Sequence, residues 1–599
     1  MEKQKKTTPL RKDIPASDKW DLTTLFKTDG DWEKALKQIS ADAAALEAYK
    51  GKLGESAETL RDALKVYERL QQNDELVGSY AFLLTAGDAG DSVNQEKMGR
   101  YMMTATEAGA RTSWFDPELQ SIPQDTIEKW IEREDFKNFK IYLQKELRNK
   151  PYILSEKEER LMVLHTEPDD TAHKAFSMLT NVDLDYGSIN GEPLTQTTWS
   201  TFMESSDRNI RKDAYTQFYN TFDKHKNTLA ALYAGSVNVD VCKAKSRGFK
   251  SSIEMALFPD KVPLSVYENL VSTVRANFKP LHRYYEIRRK VLKLDSPESL
   301  RHYDVYVPLV PDVKKVTPFD DAVEILRDAL SPLGTEYTDT LCTGLKSGWV
   351  DRYENQGKRS GAFSAGAYTG YPYILTNYKE DVLRDVFTLA HEGGHSMHSL
   401  YSAKSNPFLQ YNYTIFEAEV ASTFNEELLF RYYLKNEKEP KIKAYLISTR
   451  AADILATLYR QTMFAEFEKK THELVEGGTP LSVDVLRSEY RKLLVDYFGP
   501  EMVFEDTSDL EGLRIPHFYN AFYVYKYATG ISAALALAEK VVNGGKTEKE
   551  NYFKFLCSGG SRYPIESLKI AGVDMASQTP VQSAIDVFAR LVDELEALV

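Results

Sequence analysis

Two histidines and a glutamate at a short spacing are the residues of this chain best suited to do chemistry. His391 and His395 lie four residues apart, and Glu392 directly follows the first of them. One turn of helix would bring both imidazoles to the same face, which is the arrangement of two ligands to one zinc ion. Glu392 would then project beside the metal, where its carboxylate can take a proton from an activated water molecule. The spacing predicts a hydrolytic zinc site.

The residues around this segment indicate a buried helix. An apolar stripe at helical spacing leads into it, formed by Val382, Leu383, Val386, Phe387 and Ala390. Gly393 and Gly394 would each cost about 1 kcal/mol relative to alanine inside a helix. Close approach of another backbone, or of a substrate, would justify that cost. The competing interpretation, core packing with one capping carboxylate, leaves the two glycines unexplained.

A catalytic zinc ion has three protein ligands and one open position, so a further ligand is required. His398 lies roughly 10 Å along a straight helix from His391, which is too far for both to share one ion. A second predicted helix, residues 416–426, carries Glu419 and Glu426 on one face, because they are seven residues apart. Either glutamate could reach the metal, and spacing alone leaves both open.

Oxyanion stabilisation needs further fixed donors, and the segment 516–527 offers histidine and tyrosine side chains. We expect this segment to be helical after Pro516. Tyr523 and Tyr527, four residues apart, would then share a face, and together with His517 they are the predicted donors. Tyr525 would point elsewhere. The alternative for each tyrosine is an aromatic core stripe.

Length, composition and charge indicate what class of protein must position these residues. The 599 residues are 42% hydrophobic and 28% charged, which is typical of a globular protein large enough for two or more lobes. A net charge of -13 argues against nucleic acid or an anionic membrane as a partner. No run approaches 18 apolar residues, and only three cysteines occur. We therefore expect a cytoplasmic protein.

Helical periodicity dominates the chain, over residues 31–164, 201–245 and 263–294. Ser155 is a predicted helix cap after the break at Pro151. The best local β signal is Asn190-Gly191, a predicted two-residue hairpin turn.

The glycine- and tyrosine-rich segment 361–378 is predicted as a loop with a short strand at its end. Its glycines would permit close approach, and an exposed strand edge could pair with an extended peptide. The alternative is an ordinary surface loop.

Two sequence runs resemble a known family. The runs His-Glu-Gly-Gly-His-Ser-Met-His at 391–398 and Glu-Val-Ala-Ser-Thr-Phe-Asn-Glu at 419–426 are similar to oligoendopeptidase F, of the thimet oligopeptidase-like zinc metallopeptidase superfamily. Shorter matches occur at residues 19–22, 303–306, 361–364, 516–519 and 558–561, so the likeness spans nearly the whole chain.

The resemblance implies a mainly α fold in which two helical lobes enclose a deep substrate channel, with a small β-sheet near the zinc site. We expect the chain to divide into an N-terminal helical region over residues 1–190, with a subdomain junction near 115–150, and a catalytic zinc metallopeptidase domain over 191–599. By the same resemblance the site residues have these roles: His391, His395 and Glu419 bind one Zn2+ per chain, Glu392 is the general base, Glu426 supports the site, and His517, Tyr523 and Tyr527 are donors. The expected substrates are short peptides cut at internal bonds.

Two other functions are compatible with the same residues. A metallocarboxypeptidase would remove terminal residues, and a peptide-binding protein would keep its zinc for structure only. A purely structural zinc normally has four protein ligands, whereas only three are readily found here, and Glu392 would have no role. The sequence carries no signal for the oligomeric state.

Overall fold

The computed structural model describes residues 8–294, 299–311 and 313–599. It is 71% helix and 3% strand, so the predicted mainly α fold is confirmed. The described residues contain 24 α-helices. Their bounds are α1 Asp29–Glu47, α2 Ala57–Gly87, α3 Ser92–Thr112, α4 Phe115–Ser121, α5 Gln124–Ile131, α6 Lys140–Asn149, α7 Glu156–Asp169, α8 Thr171–Met178, α9 Gln196–Met203, α10 Arg208–Arg247, α11 Ser252–Leu257, α12 Leu264–Ala276, α13 Phe278–Val291, α14 Phe319–Ala329, α15 Thr335–Lys346, α16 Leu383–Ser405, α17 Ile415–Asn436, α18 Pro440–Ile454, α19 Arg460–Glu476, α20 Val483–Phe498, α21 Tyr525–Asn543, α22 Lys546–Leu556, α23 Pro564–Ile570 and α24 Thr579–Leu598.

Short strands form three small sheets. The strands are β1 Ser188–Ile189, β2 Glu192–Pro193, β3 Leu300–Arg301, β4 Val350–Asp351, β5 Phe363–Ala365, β6 Tyr373–Leu375 and β7 Met502–Val503. β1 and β2 form an antiparallel hairpin, and β3 pairs with β7 in parallel. The third sheet has the order β4-β6-β5, with β4 parallel and β5 antiparallel to β6. β5 is therefore an edge strand.

The chain divides into two compact units, each assembled from three separate stretches. The first contains the described parts of Met1–Pro151, Lys314–Tyr433 and Leu537–Gly572. The second contains Tyr152–Val313, Leu434–Ala536 and Val573–Val599, again as far as they are described. The predicted division at residue 190 refers to the linear chain and stays a prediction.

The first unit places its three-stranded sheet against the N-terminal helices. Trp32 of α1 is fully buried, and its indole N–H donates to the carbonyl of Val77 in α2 at 3.2 Å. Tyr373 and Leu375 of β6 belong to the same hydrophobic core. On its other side the sheet contacts α16, because β5 and β6 both pack against that helix.

The second unit is built around α10, a helix of 40 residues that packs against α19 and α20. Arg460 at the start of α19 is held by Glu511, with 2.5 Å between guanidinium nitrogen and carboxylate oxygen. The Tyr490 hydroxyl donates to the same carboxylate at 2.8 Å. These buried polar contacts fix α19 within its unit.

Local sequence signals are confirmed where they depend on neighbouring residues. Ser155 caps α7 and forms a capping box with Glu158. Asn190 and Gly191 have φ angles of 52° and 86°, as a two-residue hairpin turn requires. Among the described helices, none is both long and apolar enough to cross a membrane.

Candidate metal centre

Helix α16 presents His391 and His395 to each other. Their Nε2 atoms are 3.2 Å apart and their ring centroids 4.8 Å apart. The two imidazoles therefore share one helix face, which the four-residue spacing predicted.

Helix α17 brings Glu419 to both histidines. Its Oε2 atom lies 3.3 Å from Nε2 of His391 and 3.6 Å from Nε2 of His395. The three residues offer one donor atom each, and these atoms all lie within 4.8 Å of one another. Two imidazole nitrogens and one carboxylate oxygen are a donor set that suits a catalytic zinc ion, so the residues present fit the metal that the sequence implies.

His398 does not join this group. Its ring is buried and stacks on Tyr413, with 3.7 Å between ring centroids. This position agrees with the expectation that His398 lies too far from His391 along the helix for both to share one ion. Among the described residues, neither ring nitrogen of His398 has a hydrogen-bond partner.

Glu426 contacts the other side of the first imidazole. Nδ1 of His391 donates to Oε1 of Glu426 at 2.6 Å, because an ionised carboxylate can only accept. Glu426 therefore holds the Nδ1 side of the ring, and Nε2 is the nitrogen that faces Glu419 and His395. A carboxylate behind a metal-binding histidine fixes the tautomer and raises the basicity of the ligand nitrogen.

The paired glycines are explained by how closely α16 and α17 approach. A Cβ atom on Gly394 would lie 2.6 Å from the carbonyl oxygen of Ala421 and 2.6 Å from Cα of Ser422. A Cβ atom on Gly393 would meet only the side chain of Leu341, at 3.2 Å. The predicted close approach of another backbone is confirmed at Gly394.

The electrostatics of the group favour an unprotonated His395 and an ionised Glu419. Burial lowers the pKa of His395 to about 4, and the neighbouring His391 acts in the same direction. Burial alone would raise the pKa of Glu419, but the hydrogen bond from His391 outweighs it and lowers that pKa to about 2. Burial alone would lower the pKa of His391, but the carboxylates of Glu419 and Glu426 raise it.

Glu392 lies beside this group and is not part of it. The residue is 7% exposed, and the backbone of Ser364 in β5 favours the ionised form of its carboxylate, which lowers its pKa. Burial raises the pKa of Glu392 to about 7, against the opposing charge of His391. The hydroxyl of Ser364 also lies 2.8 Å from that of Ser396 on α16, so the edge strand is fastened to the helix. The predicted small sheet near the site is confirmed, whereas the contact from Ser364 was not predicted.

His517, Tyr523 and Tyr527 lie in the second unit and form one aromatic cluster there. The rings of His517 and Tyr523 stack with centroids 5.7 Å apart, and those of Tyr523 and Tyr527 meet edge to face at 5.7 Å. The structure therefore groups the three predicted donors.

The predicted helix after Pro516 is wrong. Residues Pro516–Tyr519 form a single 3-10 turn, and α21 begins only at Tyr525. Between them Phe522 takes a φ of 62°, which no helix accommodates. Tyr523 and Tyr527 consequently meet across the entry to α21 and not along one helix face. Tyr525 does point elsewhere, towards Tyr267 at a centroid distance of 5.1 Å.

A histidine pair on one helix, a carboxylate from a second helix and a separate buried glutamate define a helical metallopeptidase. Comparison with known proteins makes the class specific: residues 201–587 match Peptidase family M3, and residues 118–186 match a family described as Oligopeptidase F. The chain belongs to peptidase family M3, in its oligoendopeptidase F group, and is a metalloendopeptidase. The resemblance found in the sequence is thereby confirmed.

Full-length relatives support this assignment. An oligoendopeptidase F homologue of Borreliella burgdorferi is 42% identical over 589 residues, covering 98% of this chain and 99% of the relative. Oligopeptidase PepF of Bacillus subtilis is 39% identical over 603 residues, covering 100% of this chain and 89% of the relative.

Solved structures share the fold. The oligoendopeptidase-F of Enterococcus faecium superposes with a TM-score of 0.73 at 31% identity, covering 95% of this chain and 99% of that one. A Chlamydophila abortus protein assigned as a peptidase gives a TM-score of 0.94 at 35% identity, covering 99% of this chain and 100% of that one.

Proposed function

We propose that this protein is a zinc-dependent endopeptidase that hydrolyses internal bonds of short oligopeptides. His391, His395 and Glu419 would hold one zinc ion per chain, and Glu392 would be the general base. The observation that carries the proposal is the separation of roles. Three donor atoms lie within 4.8 Å of one another, and a fourth residue, the buried Glu392, has its carboxylate outside that group.

Each residue has a distinct chemical role. A zinc ion held by these ligands would act as a Lewis acid towards the attacking water and the peptide carbonyl. Glu392 takes the proton from that water and passes it to the leaving amine. The backbone of Ser364 favours the ionised form of the Glu392 carboxylate, which is the form that accepts the proton. Glu426 orients His391 through Nδ1.

Substrate contacts come from two further parts of the chain. The edge strand β5 can add an extended peptide as a neighbouring strand, which would align it beside Glu392. His517, Tyr523 and Tyr527 would donate to the oxyanion of the tetrahedral intermediate. Burial lowers the pKa of His517, so that its ring is neutral and can donate without being charged.

The relatives favour endopeptidase over carboxypeptidase activity, since they carry the name oligoendopeptidase. We place the enzyme in the cytoplasm, and the three free cysteines support a reducing compartment.

A peptide panel tests the proposal. Peptides of increasing length, each in a form blocked at both ends and in an unblocked form, are incubated with the protein with and without a chelator, and the products are identified by mass spectrometry. Internal cleavage that stops with the chelator and returns with zinc is expected. Products lacking only a terminal residue from unblocked peptides, with no cleavage of blocked ones, would favour the carboxypeptidase.

Two substitutions assign the roles. Glu392→Gln should retain zinc and lose about 10²–10⁴-fold in turnover, because only the proton acceptor is removed. Glu419→Ala should lose zinc as well. Glu473→Gln is the matched control. Glu473 follows His472 in α19 and so belongs to a second histidine-glutamate pair, but the residue four positions after His472 is Glu476 and not a second histidine. Full activity in Glu392→Gln contradicts the proposed mechanism.

A further inference from the structure

The loop before α21 contains a residue in a costly backbone conformation. Phe522 has a φ of 62°, in the left-handed region that residues with a Cβ atom rarely adopt. The conformation is energetically unfavourable for an L-residue with a side chain. Surrounding contacts must therefore hold it in place.

Three residues of the second unit supply such contacts. The ring of Phe522 is 3% exposed and packs against His472 of α19, with 4.5 Å between ring centroids. On another side it meets Tyr267 of α12 edge to face at 6.3 Å. The backbone N–H of Phe522 donates to Oε1 of Glu468 in α19 at 3.3 Å. Phe522 is thus fixed at both its ring and its amide.

The anchored residue directly precedes the aromatic cluster. Tyr523 follows Phe522, and its ring lies between those of His517 and Tyr527. Its carbonyl accepts from the N–H of Lys526 at 3.0 Å, which begins the turn into α21. Because Tyr523 is held between Phe522 and this turn, a shift of the Phe522 backbone displaces its phenol.

Glu468 is an unusual residue for a purely structural role. It is fully buried, and among the described residues its second oxygen, Oε2, has no hydrogen-bond partner. Burial raises its pKa well above the usual range, and the nearby Asp240 adds to this effect. A buried carboxylic acid with one unsatisfied oxygen is destabilising compared with an apolar side chain of similar size. Among the described residues, the one hydrogen bond of its side chain goes to the Phe522 amide.

We propose that Glu468 is a positioning residue: through the Phe522 amide it holds the left-handed backbone that places Tyr523, and with it the cluster of His517, Tyr523 and Tyr527, for catalysis. The proposal rests on the proposed function, because it assumes that the cluster donates to the oxyanion. Glu468 itself touches neither substrate nor metal.

Two substitutions of Glu468, to methionine and to glutamine, distinguish its possible roles. Glu468→Met keeps the length and removes the acceptor, so kcat should fall about 10–100-fold, as expected for a donor misplaced by about 1 Å. KM should change by less than about twofold, since the lost interaction acts in the transition state. Zinc content should be unchanged. Glu468→Gln retains an acceptor oxygen without charge and should restore nearly the wild-type kcat.

A double-mutant cycle with Tyr523→Phe identifies the route of the effect. If Glu468 acts by placing the Tyr523 phenol, Glu468→Met should lower kcat little further once that phenol is absent. Should Glu468→Met fail to fold, as judged by thermal melting, Glu468→Asp replaces it. Aspartate keeps the carboxyl group but withdraws the acceptor by about one methylene length, roughly 1.5 Å.

An unchanged kcat in Glu468→Met or in its aspartate replacement, an equal loss in Glu468→Gln, or a full additional loss in the Tyr523→Phe background would overturn the proposal. Failure of the proposed function is recognised separately, because it would leave the wild-type protein without chelator-sensitive endopeptidase activity or Glu392→Gln fully active.

Discussion

Gly394→Ala tests whether the contact between α16 and α17 sets the metal site. The added Cβ atom would lie 2.6 Å from the carbonyl oxygen of Ala421 and from Cα of Ser422, whereas ordinary contacts begin at 3.4 Å. Both neighbours are backbone atoms, so no side-chain rotation can make room. The two helices must separate locally by about 0.8 Å, the difference between the two distances.

That separation should lower the zinc affinity far more than the free energy of unfolding. Glu419 lies three residues before Ser422 on α17 and would move with it, while zinc sites tolerate ligand displacements of about 0.2 Å. We expect zinc affinity to fall about 10–100-fold or more. Overpacking costs about 1–3 kcal/mol, and replacing a helical glycine by alanine recovers about 1 kcal/mol. The free energy of unfolding should therefore fall by no more than about 2 kcal/mol.

Competition with a chromophoric chelator measures the zinc affinity, and denaturant unfolding of the metal-free protein measures stability. Gly393→Ala is the matched control, because its Cβ atom meets only the flexible end of Leu341, at 3.2 Å. The control should bind zinc as the wild type does. Equal zinc affinities of the two alanine variants would refute the reasoning.

Further predictions concern other residues of the two units. Glu426→Gln keeps an acceptor for His391 but removes its charge, so chelator competition should show a zinc affinity about 10-fold lower. Tyr523→Phe and Tyr527→Phe should each lower kcat at unchanged zinc content, Tyr527→Phe by about 10²–10³-fold and the other by less, as steady-state kinetics can establish. Burial lowers the pKa of His302 from 6.5 to about 4, so the unfolded chain takes up the proton first. The neutral His302 therefore contributes up to about 3 kcal/mol to the free energy of unfolding above pH 6.5, and this contribution is lost as the pH falls towards 4. Denaturant unfolding of His302→Gln should lack this part of the pH dependence.

Sequence signals predicted the elements well where the structure depends on near neighbours. The cap at Ser155 and the turn at Asn190-Gly191 each need only three or four residues to form, and both are present. The two compact units could not be predicted in this way, because each combines three distant stretches of chain. Contacts of that kind have no local pattern.

The segment after Pro516 shows how a distant contact overrides a local pattern. Its tyrosine spacing favours a helix, yet the helix starts only at Tyr525. Within the gap before this helix, Phe522 contacts Glu468 and His472, about 50 residues earlier in the chain. A single sequence cannot reveal that contact, and the helix prediction fails in the short segment that contains it.

The candidate metal site was more predictable because it is made by two helices in contact. Spacing left Glu419 and Glu426 as alternatives for one position, and the structure shows that both contact His391, on opposite nitrogens of its ring. Their separation of seven residues returns both carboxylates to the same face of α17, so one helix can hold the imidazole from two sides. Gly394 then sets the distance at which that face meets α16. The sequence thus encodes the direction of the carboxylates through periodicity, and the close approach of the two helices through an absent side chain.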